Sequence, residues 1–223
     1  VTDDRDGDVS DSLMIEKIGV INDDHEFAVT YAAFDSAGNV TKVRRNMRYV
    51  DYESPRFTLS APLLYPYGRE MNFVDRIKAI DLIDGNISHR IKFTVISEGA
   101  ITNEGIHEVL FRVTNSYGDT SELIIPAEIY PLGEYNAELL LTDYLVYIPA
   151  GESFNPNAYL QYFKYDDTSV ILGDTLPPAY RLTTRGNVNT SVPGVYPVSY
   201  TLAYTVDNFT FTAYSKLIVI VEG

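Results

Sequence analysis

The chain has 223 residues, 45% of them hydrophobic, which is too apolar for a disordered tail and enough to fill the core of one large domain or several small ones. A net charge of −14, spread along the chain, opposes phosphate backbones and anionic membrane surfaces and so argues against nucleic acid and direct membrane contact as partners. The absence of cysteine removes thiol catalysis, iron–sulfur clusters, cysteine-ligated zinc and any disulfide brace.

Taken in chain order, the first feature is an acidic segment, Asp3-Asp-Arg-Asp6-Gly7-Asp8-Val9-Ser10. It is followed by Phe27-Ala-Val29-Thr-Tyr31-Ala-Ala33 and by Asp35-Ser-Ala-Gly38-Asn39, an alternating strand pattern that runs into turn residues. The whole arrangement then recurs. Asp81-Leu-Ile-Asp84-Gly85-Asn86-Ile87-Ser88 repeats the first block, and His107-Glu-Val109-Leu-Phe111-Arg-Val113 with Asn115-Ser-Tyr-Gly118-Asp119 repeats the second at a constant offset of 80 residues. A third copy of the strand reads Gly194-Val-Tyr196-Pro-Val198-Ser-Tyr200-Thr-Leu202. Period-2 alternation predicts that Val29, Tyr31, Val109, Phe111, Val198 and Tyr200 face sandwich cores, and that each strand returns through a tight turn.

The D-x-x-D-G-[DN]-[VI]-S block paired with a V-x-Y-x-A-x-D-S-A-G-N hairpin resembles the bacterial immunoglobulin-like repeat related to HYR domains. That family is found in tandem on bacterial surface proteins. The resemblance covers residues 1–51 and 79–130, and in the third copy it rests on the strand and on Ile148-Pro-Ala-Gly151-Glu-Ser-Phe154, similar to the family's first-strand G-x-x-F. It implies an all-β chain of tandem immunoglobulin-like β-sandwich domains: residues 1–51, N-terminally incomplete; residues 52–131; and residues 132–223, divergent. The short joints at 51–55 and 130–133 favour a semi-rigid rod, and the first domain is expected to lean on the second. Since Val1 falls inside what reads as a running domain, an anchor is expected elsewhere in a longer polypeptide. A disulfide-free extracellular sandwich points to a bacterial cell surface.

Chemistry-bearing residues are few. Asp3, Asp4, Asp6, Asp8 and Asp11 invite a calcium reading. The EF-hand spacing fails, but a looser site could be assembled from Asp3, Asp6 and Asp35, with Asn39. The competing and favoured reading is a turn whose carboxylates cap backbone N–H groups, because Leu82 and Ile83 stand in the second copy where Asp4 and Arg5 stand in the first. Arg45 occupies the position of Ile125. Either it pairs with Asp3 or Asp6 inside the sandwich, or it lies along the sheet with its head in water, the second being favoured. His107 aligns with Phe27 and Tyr196 as a packing residue, while His25 and His89 fall in loops, and no pair has zinc-ligand spacing. No nucleophile elbow or phosphate-cradling loop is present, and carboxylate pairs among 31 acids carry no signal of their own, so an enzyme is not expected.

The third domain is dense in tyrosine. Tyr159, Tyr162 and Tyr165 form the best candidate patch for stacking on a cell-wall or host glycan, or for contacting a surface protein, against the alternative of core packing. The leading functional expectation is a non-catalytic extracellular stalk or spacer of a bacterial cell-surface protein, with a glycan- or protein-binding adhesion module as the alternative.

Overall fold

The computed structural model describes residues 1–22, 24, 26–97, 102–173 and 175–223, and it is all-β apart from three short 3₁₀ turns. His25 lies outside the described residues. Residues 1–51 form strands β1 (Thr2–Asp3), β2 (Gly7–Asp8), β3 (Met14–Ile18), β4 (Glu26–Phe34) and β5 (Val40–Arg48), the last three making an antiparallel sheet in the order β3-β4-β5. The second unit contains β6 (Arg56–Leu59), β7 (Leu64–Pro66), β8 (Ile77–Asp81), β9 (Gly85–Asn86), β10 (Lys92–Val95), β11 (Gly105–Thr114) and β12 (Thr120–Tyr130). They build two sheets, β6-β8-β9 and β10-β11-β12-β7. The third unit repeats that plan with β13 (Glu138–Leu141), β14 (Leu145–Pro149), β15 (Leu160–Tyr165), β16 (Thr168–Ile171), β17 (Tyr180–Arg185), β18 (Gly194–Val206) and β19 (Phe209–Glu222), arranged as β13-β15-β16 and β17-β18-β19-β14.

In the second and third units the opening stretch divides itself between the two sheets. Its first half pairs antiparallel (β6 with β8, β13 with β15), and its second half crosses over to lie parallel to the closing strand. Leu64 to Pro66 pair with Glu128 to Tyr130, and Leu145 to Pro149 pair with Ile218 to Glu222. The closing strand therefore has both edges satisfied. Gly151 and Phe154, read from sequence as part of a first strand, instead follow β14 in a loop; Gly151 takes a φ of +85° there, which the extended conformation of a strand does not allow.

Alternation places the predicted residues as expected in the second and third units, where Val109, Phe111, Val198 and Tyr200 are fully buried. In the first unit Val29 is buried but Tyr31 is only half-buried. One core gathers Phe57, Phe73, Ile77, Phe111 and Ile125 of the second unit, and a second gathers Phe163, Tyr200, Leu217 and Val219 of the third. Val29, Ala32 and Ala33 of the first unit belong to neither.

The joints are packed. Leu145 and Ile218 of the third unit sit inside the core of the second, with Tyr147 and Ile220 packed against it. The outer side of β19 is thus covered as well as the inner, and Ser215 through Val219 are buried without a break. Between the first two units, Phe27 stacks on Tyr49 at 5.0 Å, Tyr49 meets Tyr52 at 5.7 Å, and Phe27 reaches Tyr117 of the second hairpin turn at 6.1 Å. The first unit does lean on the second, through its aromatic end.

Candidate functional site

The repeated aspartate block proves to be a hydrogen-bonded brace, built the same way in both copies. Asp3 accepts from the backbone N–H groups of Arg5 (2.8 Å) and Asp6 (3.0 Å), and Asp81 accepts from those of Ile83 (3.0 Å) and Asp84 (2.7 Å). Each holds its own turn in place. The second aspartate of the block reaches across to the hairpin. Asp6 accepts from Ser36 N–H (2.6 Å) and Ser36 Oγ–H (2.9 Å); Asp84 accepts from Ser116 N–H (2.6 Å) and Ser116 Oγ–H (2.6 Å). Asp8 and Asn86 each accept from the backbone N–H and hydroxyl of the serine two residues on. The hairpin turn closes on itself, Asp35 accepting from Asn39 and Asn115 accepting from the backbone of Tyr117 and Asp119.

These bonds set the carboxylates' acidity. Hydrogen bonds from Ser116, with Arg90 at 2.7 Å, hold Asp84 below the usual carboxylate range, and the Ser10 and Asn39 donors do the same for Asp8 and Asp35. The structure brings the first block and its hairpin together, as a calcium site would need. It nevertheless commits Asp3, Asp6 and Asp35 to three separate sets of donors. No group of three or more His, Cys, Asp or Glu capable of holding a metal gathers among the described residues. Arg45 is exposed on the sheet at the position of Ile125, and Asp6 takes Ser36 in place of it. The partners that sequence reasoning missed are Ser36 and Ser116. They repeat at the same offset as the turn, but only the fold shows that they face the aspartates.

At the joint of the first and second units this brace acquires a further layer. Tyr52, 5% exposed, donates its hydroxyl to Asp119 (2.7 Å) and accepts from Asn115 Nδ2 (2.7 Å), which also donates to the buried Asp81 (3.1 Å). Burial, then the Asp119 carboxylate, push the Tyr52 phenol far above its ordinary value. At the other joint the buried Lys216 pairs with Glu128, which also accepts from Tyr214 (2.9 Å). Arg56 meets Glu222 at 2.6 Å with its guanidinium 4.7 Å from the Tyr147 ring, and Tyr147 in turn accepts from Phe57 N–H at 2.9 Å. Burial raises the Tyr214 phenol to about 12. His107 is buried in its strand, as its alignment predicts, with Nε2 2.8 Å from the Asn103 carbonyl; His89 is exposed.

The three tyrosines singled out in the third unit do not form one patch. Tyr159 ends a 3₁₀ turn, stacked on Phe154 at 5.8 Å. Tyr162 lies within β15, on the side opposite the buried Phe163. Tyr165 ends β15 on the same side as Phe163. The alternation of β15 places Tyr162 and Tyr165 on opposite sides, and Tyr159 belongs to the turn before the strand. Instead Tyr165 joins Tyr204 (5.1 Å) and Phe211 (4.6 Å), while Tyr204 stacks on Tyr180 (4.5 Å) and Phe211 meets Phe209 (4.8 Å). This cluster sits between two tight turns. Asp166 in one, and Asp207 and Asn208 in the other, adopt positive φ, as two-residue hairpin loops require. Phe209 is 54% exposed, so the cluster reaches the surface beside Asp207, whose charge helps raise the Tyr204 phenol after the Tyr165 hydrogen bond and burial.

On the first unit a groove of about 510 Å³ is lined by Leu13, Tyr31, Ala33, Val43, Arg45 and Met47.

No family model matches the sequence, and no curated protein does either. Among solved structures the chain is similar to the extracellular cadherin domains 1–5 of protocadherin gamma B2 (10% identity over 89% of this chain and 46% of that one, TM-score 0.24). It is also similar to mouse cadherin-23 EC22–24 (10% identity, 88% and 74%, TM-score 0.21) and to the human desmocollin-1 ectodomain (9% identity, 89% and 48%, TM-score 0.20). The chain spans about half the length of the protocadherin gamma B2 and B4 chains. Superpositions this loose add nothing to what the sheets themselves show: tandem all-β sandwich units.

Proposed function

We propose that this chain is a non-catalytic extracellular spacer of a bacterial cell-surface protein, built from immunoglobulin-like units related to the HYR repeat. The observation that carries this reading is the packing of both joints. Tyr52, at the start of the second unit, is bonded to that unit's braced turn and meets Tyr49 of the first unit, and Leu145, Ile218 and the Lys216–Glu128 pair seat the third unit in the second. A spacer must transmit position, and joints that share buried side chains do so where flexible linkers do not. The repeated motif residues serve turn geometry, which fits a module selected for stacking over one selected for chemistry. Small-angle scattering of the chain tests this: a single rigid particle, unchanged by chelator, is expected. A profile of freely hinged beads would end the spacer reading.

A second reading is favoured by the aromatic cluster of the third unit. Tyr165, Tyr180, Tyr204 and Phe209 offer ring surface beside the carboxylate and amide of Asp207 and Asn208, the combination that stacks on and hydrogen-bonds a sugar ring. Under this reading the unit is a glycan-binding adhesion module. A glycan array run with the chain and its Tyr180→Ala, Tyr204→Ala variant distinguishes the two: selective binding lost in the variant supports adhesion, and silence leaves the spacer.

A further inference from the structure

The outer face of the second unit's four-stranded sheet, turned away from its core, gathers cations. Lys92 of β10 lies directly across from Arg112 of β11, and Arg112 lies across from Glu122 of β12, its ion-pair partner. Arg112 alternates with the buried Phe111 and Val113 and so points outward. Lys92 has no ion-pair partner among the described residues, and like charges directly opposed across two strands repel. Arg90, in the 3₁₀ turn ahead of β10, meets the carboxylate of Asp84 at 2.7 Å, and Asp84 also holds Ser116 of the hairpin. The repeated brace thus fixes this guanidinium beside the sheet.

Where turn and sheet meet, a cleft of about 630 Å³ is lined by His89, Arg90, Lys92, Arg112, Thr114 and Thr120. No carboxylate is among its lining residues, although acids outnumber Lys and Arg by 31 to 17 in the chain. Asp84 and Glu122 hold their arginines from outside the lining. The sandwich plan does not require this chemistry. In the first unit Met14 pairs with Ala32 in the register that Lys92 and Arg112 take in the second. Asp11 and Ser12 stand there for His89 and Arg90, and Phe34 and Val40 for Thr114 and Thr120. The two units share their turns and their strand register, and only the second carries the cations at these positions.

We propose that this cleft binds a phosphate or sulfate monoester carried on a small neutral polar molecule, such as a sugar. Lys92 and Arg112 take the ester oxygens, Arg90 donates from the side, and the Thr114 and Thr120 hydroxyls, 2.8 Å apart, serve the carrier. Guanidinium forks match the oxygens of such esters, and Lys92 adds a point charge. Two of the three cations already have a carboxylate each, so the excess charge suits one anionic group. A long polyanion would meet the repulsion of a chain of net charge −14. The cleft's volume falls within the range of about 300–1,000 Å³ typical of small-molecule sites.

The test titrates the isotope-labelled chain with glucose-6-phosphate, glucose-6-sulfate, inorganic phosphate and glucose while following backbone amide resonances. Saturable shifts confined to residues 88–92, 112–114 and 120 are expected with one or both esters, and the tighter of the two identifies the anion. The Lys92→Met, Arg112→Ala variant places the first unit's residues in the same register. It is expected to keep the spectrum outside the cleft and to weaken ester binding about tenfold or more. Arg181→Gln, which removes an exposed cation of the third unit, is expected to leave binding unchanged. Silence with both esters would overturn the site. Inorganic phosphate binding as tightly as the esters would reduce it to a counter-ion contact, and an equal response to glucose would overturn the anionic chemistry.

Discussion

The first and second units carry the same motif and differ in what surrounds it. Their turns share the same core bonds, Asp3 and Asp81 holding their own loops and Asp6 and Asp84 holding Ser36 and Ser116. Yet Phe111 is fully buried while Tyr31, at the same place in the repeat, is half-buried, and Ile125 is buried where Arg45 is exposed. The brace is local: it needs only one turn, one hairpin and their backbone donors. The core is not local, because burying a sheet face requires a second layer opposite it. In the second unit that layer is β6, β8 and their connections, sealed further by Leu145 and Ile218 of the third unit. Among the described residues of 1–51 there is no counterpart of β6 or β7.

The largest expected effect separates these two environments directly. Phe111→Ala is expected to cost about 3–5 kcal/mol of stability, measured by denaturant unfolding, because it opens a cavity in a closed core. Tyr31→Ala is expected to cost well under half of that, its ring being half in water already. Equal losses would show that the first sheet is covered in solution.

The brace offers the next comparison. Asp84→Asn removes the charge that Ser116 and Arg90 share and is expected to cost about 1.5–3 kcal/mol. Asp6→Asn, with Ser36 its hydrogen-bond partner and no Arg90 equivalent beside it, is expected to cost less. Because the folded state holds Asp84 below its ordinary value, its contribution is present above the unfolded carboxylate's pKa and is lost as pH falls through the lower, folded one. The acid limb of the stability curve should therefore flatten in Asp84→Asn.

The joint between the units responds at the opposite end of the pH scale. Tyr52→Phe removes a hydroxyl bonded to both Asp119 and Asn115, and about 1–2 kcal/mol is expected to be lost at neutral pH. Tyr52 is held neutral in the folded chain, so its contribution is complete below the unfolded phenol's pKa and drains away as pH rises above it. Alkaline unfolding of the wild type should accordingly steepen from about pH 10, and less so in the Phe variant.

The smallest contrast uses one glycine in two settings. Gly38 and Gly118 both hold positive φ, at 83° and 89°. Gly38→Ala is expected to cost about 1 kcal/mol of backbone strain, since a new methyl would meet open space. Gly118→Ala is expected to cost somewhat more, because its methyl would come within 3.1 Å of Val20 Cγ1 across the joint. Equal costs, read from thermal unfolding, would mean that Val20 gives way freely.

Much of this architecture was legible in the residues. Alternation in Val109-x-Phe111 and Val198-x-Tyr200 reports a buried strand face because a strand's side chains have period 2 whatever the fold around them. The Asp-Gly and Asn-Ser-x-Gly turns are equally readable, since their hydrogen bonds close within a few residues. The aromatic cluster of the third unit was not readable. Tyr159, Tyr162 and Tyr165 are close in sequence and separated by the geometry of β15 and the turn before it, while Tyr165, Tyr180, Tyr204 and Phe209 gather from four strands and two turns. Arg45 in a core-facing register gave the one local hint that the first sheet's face is open. By itself, then, the sequence determined the repeat, the strand faces and the turns, all set by interactions between near neighbours. Only the tertiary structure decided which faces are covered, how Tyr52 and Lys216 lock the joints, and which aromatic rings share a surface, because each depends on residues brought together from distant parts of the chain.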